Sequence, residues 1–170
     1  MNEDFEKSVR NVKNMDSGFT RTMTCKLYPV SGGILAVSRF TDRFHDIELA
    51  VQVNSKDFTI TNIHAKMDKI PYEICRKTIP GLQHLNGLLI FHPAVNREVR
   101  RRIKRKEGCT HIFELLEFTL ESMFSGGPSI GLNGGQVEKS ERELPPEEHR
   151  RLQVTNPRLR NTCMAFACEE

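Results

Sequence analysis

The sequence predicts an α+β fold: a small antiparallel sheet of three to five strands, with C-terminal helices packed on one face. Three observations predict it. Residues 20–66 hold short segments that alternate apolar with polar positions, the period-two pattern of half-buried strands. Those segments are joined too closely for parallel pairing, which needs a crossover of about a dozen residues or more. After Pro71 the period changes, and the chain from Cys109 onward carries apolar residues at helical spacing. Strands first and helices after is the order of a sheet covered on one face.

Each element follows from local chemistry. Residues 1–19 form a polar N-terminal segment in which Val9 and Val12 support at most a short amphipathic helix. The first strand is expected over Thr20–Leu27, with Met23, Cys25 and Leu27 alternating against polar neighbours. Ser31-Gly32-Gly33 is turn chemistry, because Gly reaches positive φ without a Cβ penalty. Ile34–Phe40 resumes the strand character. Asp46–Val53 is the clearest strand, with Ile47, Leu49, Val51 and Val53 set against Asp46, Glu48, Ala50 and Gln52. Asn54–Asp57 turns it, and Phe58–Lys66 follows with Phe58, Ile60 and Asn62 expected on one face.

Pro71 suits a first helical position. Ile74, Ile79 and Leu82 follow it, and Pro80-Gly81 is expected to split that helix in two. Asn96–Lys106 reads as a short basic helix, with Val95, Val99 and Ile103 four apart and Gly108 as a left-handed cap at its end. The last helix opens near Cys109 with Thr110 as its N-cap, and Ile112, Phe113, Leu116, Leu120 and Met123 form its core stripe. Residues 20–124 are thus the single domain. Residues 125–140 read as a flexible linker, since 125–135 hold five Gly and one Pro. Residues 141–170 read as a polar tail able to dock back on the domain.

Composition excludes several classes. At 170 residues the chain is long enough for one core without staples. No apolar run approaches the roughly 20 residues of a membrane helix, and MNEDFEKSVRNVKN lacks the apolar stretch of a secretory signal. Five Cys is an odd number with no dense pattern, which favours reduced thiols and a cytoplasmic location. The formal charge of +3 points to no polyanionic partner by itself. Homodimerisation is left open.

Chemistry-bearing residues gather at a few places. Cys109-Thr110-His111 sits where a turn becomes a helix, and the free N–H groups there favour a thiolate. His111 suits a base or a metal ligand. His45-Asp46 precedes the clearest strand, and Cys75 follows the Pro71 turn. His45, Asp46, Cys75, Cys109 and His111 are the residue types that hold zinc, iron or an iron–sulfur cluster. Their spacing is not diagnostic, for there is no CxxC. The bland alternative is a buried Cys in a first helical turn beside a capping His. Residues 97–106 carry seven basic side chains and one acid, a stripe suited to an anionic or phosphate-bearing partner. It is equally the solvated face of a short helix.

The box Gly108-Cys109-Thr110-His111-Ile112, followed by Glu114-Leu115-Leu116, resembles the Gly-Cys-Thr-His-Leu box of a bacterial family of unknown function. His45-Asp46, Pro71 with Cys75, the Leu85–Gly87 region and Asn161-Thr162-Cys163 before Ala165-Phe166 match in the same order. More distantly, the order is similar to that of NifU-type iron–sulfur cluster scaffold proteins. His45-Asp46 stands there in place of a Cys-Gly-Asp, with Cys75 at the second Cys and Cys109 with His111 at a His-Cys pair. That resemblance implies a scaffold-like α+β fold, loops converging on one sheet end, and a metal site; the family match at Cys163 and the flexible 125–135 linker imply that Cys163 could swing in as an extra ligand or resolving thiol.

Three functions compete. The first is a zinc or iron–sulfur site held by Cys75, Cys109, His111 and either His45 or Asp46. The second is a metal-free thiol enzyme with Cys109 as nucleophile, His111 as base, and Asp46 or Thr110 orienting the imidazole. The third is a phosphate-binding module using Arg97–Lys106.

Overall fold

The computed structural model describes residues 3–13 and 18–127. Helix α1 covers Glu3–Lys13. Four strands follow: β1 (Arg21–Val30), β2 (Gly33–Asp42), β3 (Asp46–Asn54) and β4 (Ile60–Lys69). They pair antiparallel in the order β1-β2-β3-β4, the meander that short turns dictate. A 3-10 helix spans Glu73–Leu85, and helices α2 (Val95–Arg102) and α3 (Thr110–Gly126) complete the described fold. The predicted α+β class is the observed one. The expected linker starts at residue 125, but Ser125 and Gly126 still belong to α3; the linker from residue 128, the tail and Cys163 fall outside the described residues.

Helix α3 packs across β1, β2 and β3, and the 3-10 helix packs against β4. The covered sheet face carries Phe40, Ile47, Leu49, Val51, Ile63 and Met67, all fully buried. Ile112, Leu115, Leu116 and Met123 of α3 meet them from above. Each such side chain contributes about 1.5–3 kcal/mol over its exposed state. One polar pair fixes the docking: the Thr119 hydroxyl of α3 bonds the Ser38 hydroxyl of β2 at 2.7 Å and the Leu115 carbonyl at 2.6 Å.

Several local expectations are corrected. On β4 the buried residues are Ile60, Ile63, Ala65 and Met67, whereas Asn62 is exposed. The register advances from Val53↔Ile60 to Gln52↔Asn62, so Thr61 is an extra residue and the bulge inverts the alternation. Pro80 does not split its helix but lies inside a continuous 3-10 run, and Ile74 there is exposed. Cys109, not Thr110, is the N-cap of α3.

Gly108 is not a left-handed cap either. Positive φ among the described glycines belongs to Gly32 and Gly87. Gly108 is needed for space, because a Cβ there would overlap the Phe113 ring. Phe113 is buried, so Gly108→Ala should cost about 2 kcal/mol through overpacking. Urea unfolding reads this as a lowered midpoint at unchanged slope; an unmoved midpoint would mean that the ring swings aside freely.

Candidate functional site

One end of the sheet gathers the predicted chemistry. Arg21 opens β1 opposite Asp42, the last residue of β2. Asp46 opens β3 opposite Lys69, the last residue of β4. The β2–β3 turn carrying His45 and the segment leading to Cys75 therefore leave the sheet at the same end. The start of α3 brings Cys109 and His111 there.

Asp42 builds the turn. Its Oδ1 accepts the backbone N–H groups of Phe44 and His45, each at 2.8 Å. The same oxygen lies 2.9 Å from His45 Nδ1. Its side chain is only 1% exposed. Burial pushes this carboxyl up, but the Phe44 N–H, the His45 ring and the His45 N–H outweigh burial and hold it down at about 2. An ionised carboxylate only accepts, so His45 Nδ1 carries the proton and Nε2 is left for other chemistry.

The His45 and His111 rings lie against each other with centroids 3.9 Å apart. The buried Phe40 ring floors both, at 5.9 Å and 5.3 Å. Burial, with the neighbouring His45 and Arg21 charges, pushes the His111 imidazole down against the weaker pull of Asp42 and Glu114. These surroundings favour the neutral imidazole at His111. Its Nδ1 stands 4.0 Å from Cys109 Sγ. The Cys75 thiol interacts in turn with that of Cys109; burial first, then Cys109, pushes Cys75 up. The result is a run from Asp42 through His45 and His111 to Cys109, with Cys75 packed against the same core cluster as Cys109. Among the described residues no three or more His, Cys, Asp or Glu side chains already stand in a metal-holding arrangement.

Asp46, a predicted site residue, is not in this run. The alternation that buries Ile47 turns Asp46 to the other sheet face, where Arg39 grips its carboxylate at 2.8 and 2.6 Å. Asp42 takes the place beside His45. A carboxylate three residues before His, in a turn, is an Asx-turn signature that could have pointed to it. Arg21 carries no such sign. It reaches Asp42 at 3.5 Å and Glu114 at 3.3 Å, and its guanidinium lies 4.8 Å over Phe40.

The Asp42 pairing has a pH consequence. The folded carboxyl sits below its ordinary value near 3.8, so the unfolded chain takes up the proton first as pH falls. The stability Asp42 supplies is whole above roughly pH 5 and drains away as pH falls toward 2. Asp42→Asn should lower neutral-pH stability by about 2 kcal/mol and flatten this part of the acid-unfolding curve. An unchanged curve would mean that these hydrogen bonds do not hold the turn.

The basic stripe is largely engaged within the domain. Arg100 pairs with Glu117, Arg101 and Arg102 with Glu98, and Lys104 with Glu107. Arg102 also donates to the carbonyls of His84 and Asn86. Among the described residues no helix is long and apolar enough to cross a membrane.

A family model described as Protein of unknown function (DUF2889) matches residues 28–124, more than half of the chain, and the chain belongs to that family. No curated protein and no solved structure matches it.

Proposed function

We propose that this member of a family of unknown function binds a metal, zinc or an iron–sulfur species, through Cys75, Cys109, His111 and His45. The observation that carries the reading is the pairing of His45 with Asp42. A carboxylate that takes one ring N–H of a histidine fixes its tautomer and readies the other nitrogen, the usual outer support of a metal-bound imidazole. Here that nitrogen belongs to a ring lying against His111, which stands beside Cys109, with Cys75 packed against the same core cluster. Two thiols and two imidazoles form a complete donor set for tetrahedral zinc. Neighbouring donors on such an ion are about 3.5 Å apart, and Cys109 Sγ to His111 Nδ1 is 4.0 Å. The resemblance of the residue order to NifU-type scaffolds is the reason an iron–sulfur species stands beside zinc in this proposal.

A second reading is favoured by the same 4.0 Å contact: Cys109 as nucleophile with neutral His111 as its base. Anaerobic titration of the reduced chain with cobalt(II) separates the two. Metal binding gives thiolate-to-cobalt absorption saturating at one equivalent. Asp46→Asn should leave it intact, whereas Asp42→Asn should weaken it about 10–100-fold. A chain that never develops the absorption, yet alkylates rapidly at Cys109, would replace the metal site by the thiol enzyme.

A further inference from the structure

A second concave surface lies away from the cysteines and histidines of the sheet end. A groove of about 400 Å³ runs between the C-terminal half of α3 and the segment that enters α2. That is within the range of small-molecule sites, roughly 300–1,000 Å³. Its lining is mostly apolar: Ile90 and Leu120 are buried, and Val95 and Phe124 are half-buried.

One wall is held by backbone pairing. The Ile60 N–H donates to the Leu88 carbonyl at 2.9 Å, and the Ile90 N–H to the Phe58 carbonyl at 3.0 Å, which ties this segment to the start of β4. Phe58 has a φ of 57°, a conformation costly for a side chain of this size. Its ring packs on Phe91 at 4.8 Å, and Phe91 packs on Phe124 of α3 at 5.7 Å. The three rings brace the groove from the β3–β4 turn across to α3. His92 Nδ1 accepts the Ala94 N–H at 3.1 Å and closes the turn into α2. Apart from His92, the titratable side chains lining the groove are two acids one helical turn apart, Glu117 and Glu121. Arg100 takes Glu117 at 2.6 Å. Glu121 has no ion-pair partner among the described residues.

The geometry points to this groove as a binding site for a small aromatic amine, with its ring against Leu120 and Phe124 and its ammonium at Glu121. Aromatic walls favour the cation as well as the ring. An anion of the same shape meets Glu121 without compensation, which gives the site its selectivity. The inference is independent of the metal reading, because Glu121 lies about 15 Å along α3 from His111.

The test is saturation-transfer NMR on the full chain, titrated at neutral pH with three probes of one ring and similar length: phenethylamine, phenethyl alcohol and hydrocinnamate. The amine should bind about threefold more tightly than the alcohol, the scale of one exposed ion pair, and the carboxylate more weakly than both. Glu121→Gln should bring the amine level with the alcohol and leave the alcohol unchanged. Phe124→Leu, which keeps an apolar side chain but removes the ring, should weaken amine and alcohol about fivefold. Equal affinity for the three probes overturns the proposal. So does an amine preference that survives Glu121→Gln, binding untouched by Phe124→Leu, or no binding at all. The metal reading is tested apart from this one, since cobalt binding should be the same in Glu121→Gln as in the native chain.

Discussion

Cys109→Ser should abolish metal binding, with no cobalt absorption and no zinc retained on gel filtration. Cys109 stands 4.0 Å from His111 and in the core cluster against which Cys75 packs. A serine hydroxyl is not ionised at neutral pH and is a poor zinc ligand, so the substitution removes a bond rather than weakening one. The fold should survive, since Ser is nearly isosteric and Cys109 makes no side-chain cap bond. Cys75→Ser is the informative companion. In a metal site it should be nearly as damaging. In a thiol enzyme, where Cys109 works with His111 alone, it should leave turnover close to normal. Metal binding unchanged in both variants would dissolve the site.

Leu116→Asp should unfold the domain. Leu116 is 0% exposed, on the face of α3 that covers the sheet. Losing the Leu side chain from a packed core costs about 2–5 kcal/mol, and an unpaired buried carboxylate adds several more. A domain of this size holds about 5–15 kcal/mol in all. The checks are loss of far-ultraviolet helix and sheet signal and a chain found in the insoluble fraction. A soluble, cooperatively folding Leu116→Asp would place the buried face of α3 elsewhere.

The legible parts of the sequence were those fixed by local pattern. β3 is buried on one face only, so Ile47, Leu49, Val51 and Val53 announce it, and the structure buries all four. The α3 stripe is equally direct, for Ile112, Phe113, Leu116, Leu120 and Met123 are all buried. The β4 face was not legible, because one extra residue at Thr61 inverts the alternation and leaves no mark in composition. The role of Gly108 was also hidden. Positive φ and lack of space both call for glycine, and only the position of the Phe113 ring separates them.

The candidate site divides in the same way. Cys75, Cys109, His111 and His45 stood out by residue type, and topology brings them to one sheet end. The carboxylate did not. Asp46 adjoins His45 in sequence but follows the strand alternation to the opposite face, where Arg39 holds it. Asp42 is brought under the imidazole by a turn that its own side chain stabilises. Arg21 meets Glu114 across 93 positions of chain, a contact only the folded sheet creates.

The most direct measurement of the central claim is elemental analysis of the chain purified anaerobically, without a chelating tag, alongside a count of reactive thiols. The account predicts zinc or iron at about one site per chain, Cys75 and Cys109 shielded from alkylation, and both thiols exposed to reagent once a chelator removes the metal. A metal-free chain that also takes up no added zinc or iron, with Cys75 and Cys109 alkylated at the same rate whether or not metal is present, would contradict it.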